Sequence, residues 1–247
     1  MKDKPLNDAI TYPFKGRNDP ALGPVSILVS NKDDLDLICR SVNLGNDKVR
    51  NILMSRVFIN NDSSKGFSVV GPLVGAPYAT IILENLVAWG ARQFVFFGWC
   101  GAVSKEVKIG DVIVPSSAII DEGTSKHYAA ENNSMAFPSA SAVKRIRNAL
   151  NKKGVNFREG LVWTTDAIYR ETRKKVEHFQ KHNVLAVEME TSTLFTVGGF
   201  RNVEVGGILV VSDELSTFEW RRGFSDKRFI ESRKAVAEVM SCLCQNR

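Results

Sequence analysis

Three short stretches pair residue types that can do chemistry with a position that would present them to a ligand. Val187-Glu188-Met189-Glu190 sets two carboxylates two residues apart, directly after an apolar run and at the start of a helix-forming stretch. An acid there gains from the positive end of the helix, so capping is one reading. The other is that it accepts hydrogen bonds from the vicinal hydroxyls of a sugar. Val211-Ser212-Asp213-Glu214 closes the most hydrophobic run of the chain, Gly207-Ile208-Leu209-Val210-Val211. A partly buried Asp213 would hold its proton above the ordinary range and serve as an acid, although an N-cap or loop aspartate fits the same pattern. Gly98-Trp99-Cys100-Gly101 follows Phe94-Val95-Phe96-Phe97. Its two glycines would let bare backbone N–H groups approach a ligand or an anion, or would simply make a sharp turn.

These residues matter only if the fold gathers them, and the surrounding pattern predicts how. Strands are expected at Val25–Ser30, Val57–Asn60, Phe67–Gly71, Phe94–Phe97, Asp111–Pro115, Gly160–Trp163, Val184–Val187 and Val205–Val211. Asn61-Asp62-Ser63-Ser64 would turn the second strand into the third. Helical spacing predicts a helix over Ala76 to Trp89, with Ala79, Ile82, Leu83, Leu86 and Val87 on one stripe and Gly90 as its left-handed end. Further helices are expected to start at Asp33 and to fill Ser139–Lys153, Glu171–Lys181, Glu188–Gly198 and Asp226–Cys244. Strands alternating with helices imply an α/β domain whose central sheet is mixed and largely parallel, flanked by helices. Ligands of such sheets settle outside the carboxyl ends of the strands, where all three stretches fall. The 247 residues suit one large domain, 21–247, after an irregular, proline-marked lead-in over 1–20.

Composition excludes several classes. Hydrophobic residues make up 44% and charged residues 24%, which is globular rather than disordered. No apolar run is long enough for a membrane span, and Met1 to Asp8 is too polar for a secretory signal, so a cytoplasmic location is expected. The formal charge of +6 is spread over Lys152–Lys153, Arg173–Lys175, Arg221–Arg222 and Lys227–Arg228, with no basic arm of the kind nucleic-acid binders carry. Cys39, Cys100, Cys242 and Cys244 lack zinc spacing, and His178 and His182, four apart, read as a solvated helix face. No metal and no cofactor are expected.

Taken together, the motifs resemble the nucleoside phosphorylase family, which includes hexameric purine nucleoside phosphorylases, uridine phosphorylases and methylthioadenosine/adenosylhomocysteine nucleosidases. The resemblance runs from Val25 to the C-terminal helix. It rests on Gly98-Trp99-Cys100-Gly101-Ala102-Val103, Ile109-Gly110-Asp111-Val112-Ile113-Val114-Pro115, Thr165-Asp166-Ala167-Ile168-Tyr169, Val187-Glu188-Met189-Glu190 and Val211-Ser212-Asp213, in that order. It implies that Glu190 binds the ribose 2′- and 3′-hydroxyls, that Met189 packs on the sugar and that Glu188 supports them. It further implies that Asp213, followed back to Ser212, protonates or hydrogen-bonds N7 of a departing purine, because uridine phosphorylases lack this aspartate. Ile168 and Tyr169 would line the base and sugar pocket, and His127, in the run Asp121 to Tyr128, would lie near the sugar. Members form dimers or trimers of dimers, so a homo-oligomer is expected, with a nucleoside as the small-molecule ligand.

The chain departs from the family where phosphate binds. By alignment Asn31 and Leu35 replace a glycine and an arginine after the first strand, and Phe96 and Trp99 replace an arginine and a hydroxyl residue at the glycine turn. Phe and Trp cannot hold a doubly charged phosphate. Either Arg50, Arg56, Lys32, Arg221 or Arg222 takes over, or phosphate is not the nucleophile. Asp33 and Asp34 lie close to where hydrolytic members carry a water-activating glutamate, though both also suit a helix start. Three readings follow: a purine nucleoside phosphorylase with phosphate as co-substrate, a phosphate-independent nucleosidase, and a non-catalytic nucleoside-binding homologue.

Overall fold

The computed structural model describes residues 9–45, 49–60, 66–129 and 133–245. In chain order the elements are β1 (Val25–Val29), α1 (Lys32–Ser41), β2 (Val49–Ile52), β3 (Ser55–Asn60), β4 (Phe67–Gly71), α2 (Ala76–Trp89) and β5 (Gln93–Ala102). They continue with β6 (Val112–Asp121), β7 (Met135–Ala136), α3 (Ala140–Lys152), β8 (Arg158–Thr165), α4 (Arg173–Lys181) and β9 (Ala186–Glu188). The chain ends through α5 (Thr191–Phe200), β10 (Glu204–Glu214), β11 (Arg221–Arg222) and α6 (Lys227–Gln245). The turn expected at Asn61 to Ser64 lies outside the described residues.

All eleven strands join one mixed sheet in the order β11-β10-β6-β8-β9-β5-β1-β4-β3-β2, with β7 on β6. β1 runs parallel between β4 and β5, and β5 runs parallel to β10. Antiparallel pairings add β2–β3–β4, β5–β9, β6–β10, β6–β7 and β10–β11. Because β10 pairs with both β5 and β6, the strands β5, β9, β8, β6 and β10 close into a ring.

The side-chain period of two divides the apolar residues of β5 between two cores. Phe94 and Phe96 pack with Ile82, Leu83, Leu86 and Leu194 of α2 and α5, while Val95 and Phe97 pack with Ile38, Ile146, Val236 and Met240 of α1, α3 and α6. A strand covered on both faces needs apolar residues at every position, which explains the unbroken run read from the sequence. The helix over Ala76–Trp89 ends at Gly90 with φ 119°, the left-handed conformation a glycine adopts without strain. Before β1, residues 9–20 are irregular and leave Ile10, Tyr12 and Phe14 exposed. Among the described residues no helix is long and apolar enough to cross a membrane.

Two local departures decide where the site lies. The Gly98–Gly101 stretch does not end the strand; β5 continues through it and pairs with Leu209, Val210, Val211 and Asp213 of β10. Its glycines serve close packing, since a Cβ on Gly98 would stand 2.6 Å from the Phe96 ring and one on Gly101 2.5 Å from Leu215. β10 likewise runs on through Ser212-Asp213-Glu214, with a register shift between Val211 and Asp213. Such a bulge re-aims the residues beyond it.

Candidate active site

The carboxyl-terminal parts of β5, β9 and β10 open into one cleft of about 440 Å³. Its lining includes Trp99, Cys100 and Gly101 of β5, the segment Val187 to Glu190, and Ser212, Asp213 and Leu215 of β10 and its exit. Ile168, Tyr169 and Glu171 close one side, with Trp220 and Phe224 from the segment that leads into α6. Ser30, Asn31, Leu73 and Val74 complete it.

The two glutamates are built differently. Glu188 reaches back over the start of α5: one of its oxygens accepts the backbone N–H groups of Glu190 and Thr191, both at 2.7 Å, and the other accepts the Thr164 hydroxyl at 2.5 Å. It therefore does the capping work foreseen for the pair, and those donors counter the upward push that burial exerts on its carboxyl. Glu190 is the N-cap residue by position, yet its side chain turns away from the helix and accepts the N–H of Gly75 at 2.5 Å. Burial first, and then the charge of Glu188, raise the Glu190 carboxyl to about 8. Only one backbone N–H from outside its own turn faces it, so it has acceptor capacity left for a ligand.

Asp213 has a donor on each oxygen. The Ser212 hydroxyl bonds to one at 2.6 Å and the Trp220 indole N–H to the other at 2.8 Å. These contacts fix the plane of the carboxyl, and each oxygen retains a second lone pair. Glu171 is a fourth acid in the lining. Burial and the nearby Asp213 raise it to about 7, against a smaller downward pull from Lys175.

At the Asn31 end the cleft is closed by an aromatic and ionic plug. The Trp99 indole N–H donates to Asp34 at 2.5 Å, and Asp34 also accepts Arg233 Nε at 2.7 Å. The Arg233 guanidinium lies 4.7 Å from the Trp99 ring centre, while Phe229 meets Trp99 edge-on at 5.0 Å. Asp34 is 1% exposed and Arg233 13%, so each charge is spent on the other. Burial nevertheless pushes the Asp34 carboxyl upward.

Ten of the residues predicted from sequence thus share one cleft: Trp99, Cys100, Gly101, Ile168, Tyr169, Glu188, Met189, Glu190, Ser212 and Asp213. Gly98, His127, Asp33 and Asp34 are not part of that lining. Gly98 is held within the β5–β10 ladder. His127 is exposed in a short turn whose anchor is Glu122, which accepts the Thr124 and Ser125 N–H groups and the Ser192 hydroxyl. Asp33 is exposed in the first turn of α1, where its N–H meets the Asn31 side chain. Asp34 points to Arg233 and cannot activate a water in the cleft while so engaged. Phe96 is fully buried in the core.

None of the cations named as substitutes is part of the cleft lining, although Arg222 packs on Trp220, which is. Lys32 and Arg56 pair with Asp36, and Arg221 pairs with Glu214. Arg50 is exposed on the edge strand β2. Among the described residues the cleft is lined by four carboxylates and by no Lys or Arg. No group of three His, Cys, Asp or Glu side chains among them is arranged to hold a metal ion. The sequence pattern missed Glu171, Trp220, Phe224 and Val74, and only Glu171, two residues after Tyr169, lay near a residue it placed in the pocket.

The family described as Phosphorylase superfamily matches residues 24–244. A DeoD-type purine nucleoside phosphorylase of Bacillus cytotoxicus is 32% identical over 171 residues, 66% of this chain and 69% of that one. Uridine phosphorylase from Vibrio fischeri ES114 superposes with a TM-score of 0.74 at 26% identity, covering 91% of this chain and 93% of the other. AMP nucleosidase from Bacteroides thetaiotaomicron VPI-5482 shares the fold, with a TM-score of 0.68 at 24% identity and 89% of each chain covered.

Proposed function

The chain belongs to the Phosphorylase superfamily, and from that premise we propose that it cleaves the N-glycosidic bond of a purine-type nucleoside with water as the nucleophile. One observation carries the choice of water: the cleft offers four carboxylates and no cation among the described residues, and Trp99, locked to Asp34, fills the end where an anion would sit. A phosphate dianion placed there would find no Lys or Arg among the described lining residues to pair with, and burying an unpaired charge is costly.

The chemistry assigns a role to three of the four acids. Breaking the bond builds positive charge on the ribose and negative charge on the base. Asp213, held in plane by Ser212 and Trp220, passes a proton taken up from solvent to N7 of the departing purine, and the water that bonds to the anomeric carbon returns one proton to solvent. Glu190 accepts the 2′- and 3′-hydroxyls and sets negative charge beside the oxocarbenium-like centre. Glu188 positions Glu190 by holding its backbone N–H. The absence of a cation among the lining residues also argues for a nucleoside rather than its 5′-phosphate.

Incubating the protein with adenosine in phosphate-free buffer is expected to release free base and free ribose, at a rate that added phosphate does not raise. The relatedness to a DeoD-type purine nucleoside phosphorylase favours a second reading, phosphorolysis with a cation from a neighbouring subunit. Strictly phosphate-dependent release, with ribose 1-phosphate as product, would establish that reading instead. Saturable binding with no release would leave a nucleoside-binding homologue.

A further inference from the structure

We propose that Glu171 is a specificity-determining residue: beside Asp213 it makes the base end of the cleft read the N7 and amino edge of a 6-aminopurine and disfavour a 6-oxopurine. The inference rests on the nucleoside-cleavage reading above and adds the class of base. Its ground is the inventory of polar groups at that end. Asp213 and Glu171 line the same cleft, close enough for the charge of Asp213 to act on Glu171. The Ser212 hydroxyl and the Trp220 indole N–H are both donated to Asp213, so neither is left to meet a carbonyl of the base. Ile168, Leu215 and Phe224 beside them are apolar. The base therefore meets acceptors and few donors.

Adenine presents N7 and the donating 6-amino group side by side, whereas guanine and hypoxanthine present N7 beside an accepting O6. With Asp213 at N7, the neighbouring carboxylate of Glu171 completes a hydrogen bond to the 6-amino group but opposes an O6 lone pair. Proton transfer to N7 also makes the amino N–H a stronger donor. The Glu171 contact thus strengthens as the glycosidic bond breaks, which is the condition for it to raise turnover and not only affinity. Asp213 of β10 and Lys175 of α4 are the charged groups acting on Glu171, and Lys175 is itself bonded to Asp121 at 2.6 Å. Burial and Asp213 hold the Glu171 carboxyl near 7, so its ionised, accepting form gains ground as pH rises past neutrality.

The test is kcat/KM for adenosine and for inosine, in the wild type and in Glu171→Gln, between pH 6 and 8. The wild type is expected to favour adenosine by about 10- to 100-fold, the discrimination typical of a well-placed pair of contacts to a base edge, with the ratio rising through pH 7. Glu171→Gln, whose amide can donate to O6, is expected to bring the ratio to near one and to remove its pH dependence. Inosine cleaved by the wild type as well as adenosine overturns this inference alone, as does a Glu171→Gln variant that is active with an unchanged ratio. Release from neither nucleoside by the wild type overturns the cleavage reading, and this inference with it.

Discussion

Asp213→Asn is expected to lower kcat/KM for a purine nucleoside by about 10²–10⁴-fold, the usual contribution of a positioned general acid. The substitution keeps the size of the side chain and its place beyond the β10 bulge, but an amide has no proton to give to N7. It also turns an NH₂ group toward either the Ser212 hydroxyl or the Trp220 N–H, both of which now donate to Asp213. The informative control is a riboside with a leaving group that departs without protonation, such as p-nitrophenyl riboside. Its cleavage by the variant should fall far less, by no more than about 10-fold if only the disturbed hydrogen bonds matter. Equal losses for both substrates would mean that Asp213 does not protonate the base.

Glu190→Gln is expected to cost about 10²–10³-fold in kcat/KM, because hydrogen bonds from the two ribose hydroxyls lose their charged acceptor and the ribosyl cation loses its nearby negative charge. The pH profile gives the sign. Burial and the charge of Glu188 place the Glu190 carboxyl at about 8, so the free enzyme carries it protonated below that value. Hydroxyls prefer the ionised acceptor, so ionisation of Glu190 should add a rising limb to kcat/KM as pH approaches about 8. The variant should lack that limb. Folding stability moves the opposite way. A carboxyl that binds its proton more tightly in the folded state contributes stability in full below its ordinary value of 4.5, and that contribution is lost as pH rises through about 8. Glu190→Gln should therefore narrow the fall in Tm across that window. Substrates lacking the 2′- and 3′-hydroxyls should be impaired in the wild type yet lose little more in the variant, since both changes delete the same contact. Full additivity of the two losses would separate Glu190 from the sugar.

What could be read from the sequence follows from how local its physical cause is. The run Phe94-Val95-Phe96-Phe97 announces a doubly covered strand because burial on two faces dictates each residue independently. The acids of β9 and β10 were visible for a similar reason: a charged residue straight after such a run is costly unless it has a function or a cap. The glycines of Gly98–Gly101 misled, because a missing Cβ signals a turn and a tight ladder contact equally well, and only the approach of Phe96 and Leu215 distinguishes them. Asp34 suited a helix start until Arg233, 199 residues away, was brought beside it with Trp99. Glu171 read only as the start of a helix; its meaning comes from sharing with Asp213 a cleft that the closed ring of strands creates. The edge strand β2, with Arg50 and Asn51 exposed, has no apolar alternation to betray it.

At the centre of the account is one geometry, a nucleoside lying with its sugar on Glu190 and its heterocycle on Asp213. A crystal structure with adenosine, or with an uncleavable analogue of it, measures that directly. The 2′- and 3′-hydroxyls are expected within hydrogen-bond distance of the Glu190 carboxyl, N7 facing Asp213, and the Trp99–Asp34–Arg233 plug in place with no anion behind the anomeric carbon. A nucleoside bound outside this cleft, or one seated in it with its ribose away from Glu190, would contradict it.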